Sequence, residues 1–304
     1  MQQRLTSACD IRQTKEWGEF LAQIGWRTEK IGNTFLFIRN VPWLGSVIKI
    51  QHPSGLLPFA RIDTVARRHA ASFVVVEPHS TGYDERSFLK WGYRKSLLRY
   101  VHSATILLNL RRSETALWRG FSQNARRNIR RAEQTLDVSL TEKIDVQTIQ
   151  ECYALFKETG KRQHFWIPPF SEIEAKMLAF QKHSVILFAY EKGKRDPVAC
   201  LWLAYLTDVA VYMQPGSTAT GYACNANYLL VWKGIQWLKK KGIQAFDFES
   251  IYDPRYPREN TAWKGYTEFK QKFSGEVVQY PPSWIKIYNP GFNVFYRFMS
   301  LFMK

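Results

Sequence analysis

The segment from Gly242 to Gly275 constrains the fold more than any other part of the chain. Residues 245–248 are typical of a buried strand, and two acids, Asp247 and Glu249, lie at its end. Because side chains alternate along a strand, the pattern predicts both acids on one face and Phe246 and Phe248 on the other. The segment therefore predicts an α/β arrangement with a functional site at the end of this strand.

A helix with one lysine among aromatic residues follows the strand. The helical spacing is carried by Trp263, Tyr266, Phe269, Lys270 and Phe273, and Gly275 supplies a stop. A lysine among aromatic rings is partly desolvated, so it should attract an anion more strongly than a surface lysine does. It can then hold a phosphate or stabilise the oxyanion that forms when an amine attacks an ester carbonyl. The alternative is a surface lysine lying over a ring face.

Acids and tyrosines near this helix are further candidates. Asp247 and Glu249 can orient an incoming amine or accept its proton, although for Glu249 we favour a structural role at the strand end. Tyr222 and Tyr228 flank the predicted start of another helix. They can hydrogen-bond a substrate or serve as ordinary core aromatics.

A cluster of arginines predicts contact with phosphate. Ser113 caps a predicted helix that continues to about residue 134 and carries Arg119, Arg126, Arg127, Arg130 and Arg131. Arginines this close repel one another unless an anion neutralises them. A solvated face or a set of ion pairs with another domain is the alternative interpretation.

Composition limits the classes of protein that fit. The 304 residues suffice for two domains, and 43 Lys+Arg against 26 Asp+Glu give a net charge of +17. This excess suits a polyanionic partner such as nucleic acid, or an anionic membrane surface. The four cysteines form no CxxC pair, and no GxSxG, Walker or HExxH motif occurs. We therefore expect neither a metal nor a redox cofactor, and no nucleophilic enzyme catalysis.

The order of predicted elements is similar in the two halves of the chain. Each half combines helices, a strand meander, a further helix and a buried strand, and the second meander spans residues 185–190, 198–206 and 209–214. No apolar run is long enough to cross a bilayer, and no signal peptide is evident, so we expect a cytoplasmic protein. The aromatic segment 284–304 predicts a helix packed on the first domain. Contact of that helix with the inner membrane face is the alternative.

Three segments in this order resemble the Fem family of peptidoglycan-bridge aminoacyltransferases. Residues 265–276 resemble the family's Gly-x-x-x-Phe-Lys-x-x-Phe-Gly element. Residues 228–237, followed by Phe246-Asp247-Phe248, resemble its Tyr-led helix and Tyr-Asp-Phe strand. Residues 126–132 resemble its Arg-x-x-Ile-Lys-Lys-Ala segment. The segment 17–20 departs from the family, because it lacks the lysine that often follows the N-terminal tryptophan.

The resemblance implies two tandem acetyltransferase-like (GNAT) domains, with mixed sheets, of the type without a helical arm. It also implies transfer of an amino acid from aminoacyl-tRNA to the stem peptide of a UDP-linked or lipid-linked peptidoglycan precursor. Lys270 and Phe269 match the family's Phe-Lys pair, which engages the acylated tRNA end, and Asp247 lies in the matching strand. Tyr228 and Tyr222 match its precursor-side tyrosines.

Basic loop residues complete the predicted site. Arg162, in the loop 160–169, and Arg255 and Arg258, in the loop 252–258, are candidates for precursor contacts. Arg126, Arg127, Arg130 and Arg131 are the candidates for tRNA phosphate contacts.

The predicted domains are residues 1–137 with 281–304, on the precursor side, and residues 138–280, on the tRNA side. Two other functions remain open. One is an acyl-CoA-dependent N-acyltransferase on the same fold, although no two glycines stand two apart as its pyrophosphate loop requires. The other is a non-enzymatic basic protein that binds RNA or membranes.

Overall fold

The computed structural model describes residues 10–79, 84–257, 259 and 261–302. They divide into two compact units. The N-terminal unit contains the described residues of Thr6–Ser103 and Gln279–Lys304, and the central unit contains those of Ala104–Val278. Each unit is built on one mixed sheet, so each is considered by itself below.

Helices and short strands make up the first part of the N-terminal unit. Its elements are α1 (Lys15–Gln23), β1 (Arg27–Ile31), β2 (Thr34–Val41), β3 (Gly45–Gln51), α2 (Phe59–Arg68), β4 (Ala71–Glu77), α3 (Glu85–Lys90) and β5 (Arg94–Lys95). Thr14 caps α1, because its hydroxyl accepts a hydrogen bond from the Trp17 N–H. Strands β1 and β2 pair as an antiparallel hairpin.

The central unit opens with β6 (Ala104–Asn109), α4 (Glu114–Gly120), α5 (Gln123–Thr135), β7 (Leu136–Thr141), α6 (Val146–Gln163) and α7 (Phe170–Ala179). It continues with β8 (Ser184–Glu191), β9 (Pro197–Leu206), β10 (Val209–Ser217), α8 (Ala219–Ala223), α9 (Ala226–Lys240), β11 (Ala245–Asp247), α10 (Lys264–Gln271) and β12 (Glu276–Gln279). The chain then returns to the N-terminal unit with β13 (Trp284–Ile287) and α11 (Pro290–Phe302).

Both sheets contain one parallel pair among antiparallel neighbours. The N-terminal sheet has the order β1-β2-β3-β4-β13-β5, and the central sheet has the order β12-β6-β11-β10-β9-β8-β7. Strand β3 runs parallel to β4, and β10 runs parallel to β11, with helices in each connection. The antiparallel meander β8-β9-β10 confirms the predicted one. The mixed α/β fold class with two similar units is therefore confirmed.

The arginine-rich segment folds as two helices, so the prediction of one continuous helix was wrong. Phe121 adopts an extended conformation (φ −65°, ψ 147°) between α4 and α5. Ser122 then caps α5 by accepting a hydrogen bond from the Ala125 N–H at 3.1 Å. Arg119 consequently lies on α4, and the four other arginines lie on α5.

Along the chain, the boundary between the two units lies between Ser103 and Ala104, whereas the sequence predicts a boundary after residue 137. Strand β6 pairs with β11 in the central sheet, and α5 packs on α9. These contacts group residues 104–137 with the central unit. Residue 138 lies within strand β7 of that unit rather than at the beginning of the unit.

Candidate functional site

Lys270 is buried in the central unit, with a 1% exposed side chain. Its Nζ donates hydrogen bonds to the carbonyl oxygens of Glu249 at 3.0 Å and Ser250 at 2.8 Å. The same atom lies 4.1 Å from the ring centroid of Tyr266 and 5.4 Å from that of Tyr212. The lysine is therefore held by two carbonyl dipoles and two ring faces, the aromatic environment that the helical spacing predicted.

The pKa of the Lys270 ammonium group lies near neutral pH. Burial lowers the pKa of its ammonium group from 10.5 to about 7, against the opposing attraction of the Glu249 and Asp247 carboxylates. Both protonation states are therefore populated at neutral pH. Lysines whose pKa values lie near the working pH are frequent in functional sites, although burial in a structural network has the same effect.

The sequence predicted Asp247 and Glu249 on one face of a strand. In the structure the two residues do not share a strand face. Strand β11 ends at Asp247, and Glu249 adopts a left-handed conformation with φ +59°. Asp247 is buried, and its carboxylate accepts hydrogen bonds from the Thr105 hydroxyl and, at 2.6 Å, from the Glu249 N–H. The resulting turn directs the Glu249 carbonyl towards Lys270. The sequence predicted a role for the Glu249 side chain, whereas in the structure it is the backbone carbonyl of Glu249 that contacts Lys270.

Phe269 and Tyr228 form a second aromatic contact beside Lys270. Their ring centroids are 4.9 Å apart, and Phe269 also packs against Phe273 at 5.4 Å. The Lys272 Nζ donates a hydrogen bond to the Tyr228 hydroxyl at 3.0 Å. Sequence reasoning singled out Tyr228 and Phe269 but missed Lys272.

Arg162 and Tyr222 meet at the end of strand β10. The Arg162 guanidinium donates to the Ser217 carbonyl oxygen and to the Ser217 hydroxyl, both at 2.8 Å. Its Cζ lies 5.2 Å from the ring centroid of Tyr222, which is 60% exposed. Within the described residues, the buried Nε of Arg162 has no hydrogen-bond partner. Two of the predicted substrate-binding residues therefore form one partly exposed surface.

Arg255 is engaged within its own loop. Its guanidinium forms a salt bridge with the buried Asp253 carboxylate at 2.6 Å and lies over the Tyr256 ring. The bond to Asp253 raises the pKa of Arg255 above its usual value. Arg258, the other loop arginine proposed for precursor contact, lies outside the described residues.

The arginines of α4 and α5 line a groove of about 570 Å³. Its walls consist of Trp118, Arg119, Gln123, Arg126, Arg127, Arg130, Arg131 and Gln134. Arg126 donates to the Arg119 carbonyl oxygen at 3.0 Å, and Arg130 lies 5.5 Å from the Trp118 ring centroid. No carboxylate contributes to these walls. The four predicted phosphate-binding residues thus lie together, with a tryptophan beside them.

A buried histidine cluster in the N-terminal unit escaped sequence reasoning. His52 lies 5.5 Å from both His79 and His102, measured between ring centroids, and 4.3 Å from the ring of Tyr280. These residues are far apart in the chain, so no spacing in the sequence pointed to the cluster.

Ionic contacts surround the histidine cluster. The His52 Nδ1 lies 3.0 Å from an Asp10 carboxylate oxygen, and Arg12 forms a salt bridge with the same carboxylate at 3.1 Å. Burial alone would raise the pKa of Asp10, but Arg12 and His52 lower it well below 3.8. The cluster is therefore a charged network within an apolar surrounding.

Acidification is expected to destabilise the protein through His79. Burial lowers the pKa of His79 from 6.5 to about 4, and the Asp10 carboxylate opposes this shift. Between these values the unfolded chain binds a proton that the folded chain does not, so the free energy of unfolding falls as the pH falls.

Urea unfolding of the wild type and of His79→Gln measures this effect. Between about pH 7 and about pH 4.5, the wild type should lose about 2–3 kcal/mol more than the variant does. Burial raises the pKa of Glu77, which therefore contributes in the opposite direction. The comparison cancels this contribution, because both proteins contain Glu77. The same pH dependence in both proteins would contradict the assignment to His79.

The fold and these surfaces define a protein built from two tandem units of the acetyltransferase type. Residues 119–265 match the sequence model of the family described as "Acetyltransferase (GNAT) domain". No curated protein matches the chain in sequence.

Solved structures share this fold. The crystal structure of FemX matches with a TM-score of 0.80 and 13% identity, and the match covers 96% of each chain. L-PGS from Bacillus licheniformis matches with a TM-score of 0.59 and 15% identity, over 93% of this chain and 90% of that chain. A tandem GNAT protein from the clavulanic acid biosynthesis pathway matches with a TM-score of 0.52 and 10% identity, over 93% and 97%. The resemblance to the Fem family is thus confirmed at the level of the fold.

Proposed function

We propose that this protein transfers an aminoacyl group from aminoacyl-tRNA to an amine of a peptidoglycan stem peptide. The bond that forms is an amide between the aminoacyl carbon and the acceptor nitrogen. The ester bond to the terminal ribose of the tRNA breaks, and the ribose hydroxyl receives the proton that the amine loses. No cofactor is needed to balance this reaction.

The arginine groove on α4 and α5 is the observation that carries the proposal. Five exposed or half-exposed arginines line the groove, and this lining, which includes no carboxylate, provides a binding surface for a polyanion. Trp118 adds a ring on the same wall, as is common where proteins hold single-stranded nucleic acid. The end of a tRNA offers both phosphates and unpaired bases. Of the substrates considered, aminoacyl-tRNA fits this surface best.

Lys270 has an electrostatic role in this proposal. Its ammonium group is fixed by two carbonyl oxygens and is desolvated, so a nearby developing oxyanion experiences it more strongly than in water. Because the side chain is buried, it acts through its charge and by holding the Glu249–Ser250 turn. Phe269 and Tyr228 form the aromatic wall beside it.

Arg162 and Tyr222 are the proposed acceptor side. They combine a guanidinium with an exposed phenol ring at the end of β10, where an anionic precursor group can be bound.

An acyl-CoA-dependent N-acyltransferase is the alternative within the enzyme class. Such enzymes hold a pyrophosphate on glycine-bearing backbone before a helix N-terminus. Here the short helix α8 occupies the segment before α9, and a Cβ at Gly221 would lie 2.1 Å from the Val198 carbonyl oxygen. Gly221 therefore serves close packing against β9, which argues against the acyl-CoA alternative.

A single-turnover assay distinguishes these functions. Purified protein is mixed with a panel of charged tRNAs and with UDP-linked or lipid-linked precursor, and loss of the aminoacyl ester is followed together with formation of the amide. Transfer that depends on charged tRNA supports the proposal. Transfer from acetyl-CoA alone, or salt-sensitive RNA binding without transfer, would replace it with one of the alternatives.

A further inference from the structure

Helix α11 packs on the N-terminal sheet through one face. Phe292 stacks on Phe73, with ring centroids 4.7 Å apart. Tyr296 is buried, and its hydroxyl accepts a hydrogen bond from the Leu97 N–H at 2.7 Å. Met299 packs against the same apolar cluster. These positions follow helical spacing, so the inward face of α11 is fully used in the fold.

The outward face of α11 is also apolar. Val294 is 71% exposed, Phe295 is 54% exposed and Leu301 is 72% exposed, and Phe298 between them is exposed as well. Their spacing places them together on the side of the helix opposite the packed residues. The helix contains one arginine and no acid. A contiguous apolar surface of this kind marks a site of association.

A second exposed apolar residue lies in a turn next to the apolar cluster that α11 covers. Trp43 is fully exposed in the turn between β2 and β3. Its neighbours Val41 and Leu44 pack against the apolar cluster that α11 covers. Tryptophan prefers the boundary between water and lipid, because its ring is apolar and its N–H is polar.

Cations accompany these residues. Trp26 packs against the same cluster, and Lys49 and Arg39 lie over its ring at 4.1 and 5.7 Å. The Arg94 guanidinium lies 4.8 Å from the ring of Tyr296. The segment from residue 34 to 51 contains no Asp or Glu. This surface therefore combines apolar and positive groups.

We propose that the lipid-facing surface, formed by the outward face of α11 and by Trp43, docks on an anionic phospholipid bilayer. The 13 residues of α11 suit a helix that lies in the interface rather than across the bilayer. No helix in the described part of the chain has the length and apolar character that a membrane span needs.

A bilayer fits this surface better than a second copy of the chain does. Two chains that each carry a net charge of +17 repel one another, whereas an anionic headgroup layer attracts them. The inference adds to the proposed transfer reaction without resting on it. Docking would bring the protein to any acceptor held in the membrane.

Vesicle sedimentation tests the inference in the absence of tRNA and precursor. The wild type should bind vesicles that contain about one-third phosphatidylglycerol, and should bind phosphatidylcholine vesicles much more weakly. Phe295→Ser/Leu301→Ser should lower binding to the anionic vesicles about tenfold or more. The matched control Leu56→Ser/Leu89→Ser removes two exposed leucines elsewhere in the unit and should leave binding unchanged.

Three outcomes would overturn the inference. The first is equal vesicle binding by the wild type and the α11 variant, with both folded by circular dichroism. The second is a concentration-dependent dimer of the wild type that the α11 variant lacks in analytical ultracentrifugation, because a second copy would then cover the face. The third is binding to an acidic protein but not to vesicles.

Fluorescence tests the contribution of Trp43. Addition of anionic vesicles should shift the wild-type emission to shorter wavelength, because an exposed indole enters a less polar environment. Trp43→Phe should lose most of this shift while it still sediments with vesicles through α11. A shift of the same size in both proteins would exclude Trp43 from the docking surface.

Discussion

Replacement of Lys270 by methionine is expected to lower the single-turnover rate of aminoacyl transfer by about 100- to 1,000-fold, the usual effect of removing one preorganised electrostatic contact. Methionine fills a similar volume without the charge. It also abolishes the hydrogen bonds to the Glu249 and Ser250 carbonyl oxygens. Binding of charged tRNA should change little, because the arginine groove is formed by α4 and α5.

The pH dependence of transfer separates charge from position. Since burial lowers the pKa of Lys270 to about 7, the wild-type rate should fall as the pH rises through that value. Arginine remains charged over this range, so Lys270→Arg should keep part of the activity, and its transfer rate should not fall as the pH rises. A wild-type decline that survives unchanged in Lys270→Arg would assign it to another group.

Stability measurements control for misfolding of the methionine variant. A lysine with a lowered folded-state pKa binds fewer protons in the folded than in the unfolded chain between about pH 7 and 10.5. As the pH rises through this window, the free energy of unfolding of the wild type therefore increases relative to that of Lys270→Met. Below about pH 7 the lysine is protonated in both states, so the difference in stability between the two proteins should no longer change with pH. Loss of transfer by a stable variant supports the electrostatic role, whereas retained transfer would contradict it.

Local patterns were sufficient to predict much of the fold. Thr14 precedes an apolar helical pattern, and its hydroxyl makes the capping bond that a threonine at such a position favours. The meander follows from three apolar runs separated by short turns, because such runs pair with their neighbours in sequence. The helical spacing around Lys270 likewise predicted its ring contacts. Each of these features depends on residues close together in the chain.

Features set by tertiary contact could not be predicted in this way. Glu249 adopts φ +59° because the chain turns there, with the turn held by Asp247, so strand alternation stops one residue earlier than the pattern implied. The break at Phe121 lies between Gly120, which ends α4, and the Ser122 cap of α5, and the apolar helical spacing of the segment runs on across it. The histidine cluster joins His52, His79 and His102 only after β3 and β4 pair.

Reversal of two charges in the arginine groove is expected to weaken binding of charged tRNA by about 100-fold at moderate salt, because phosphate contacts dominate affinity. Arg127 and Arg131 suit this test, since both are exposed and lie one helical turn apart on α5. The variant Arg127→Glu/Arg131→Glu should also reduce the slope of log affinity against log salt by about 1.5 or more. Filter binding or fluorescence anisotropy over a salt series measures both quantities.

A matched variant distinguishes a specific groove from the general positive charge. Lys182→Glu/Lys192→Glu makes the same change of net charge at two exposed positions elsewhere in the central unit. If the arginines of α5 contact the tRNA backbone, this control should weaken binding only a few-fold through the long-range field. The groove variant should lose transfer at low tRNA concentration and regain it when the tRNA is saturating, because the reacting groups near Lys270 are intact. Equal losses in the two variants would mean that the +17 charge as a whole attracts RNA, and the groove would then have no special part in the reaction.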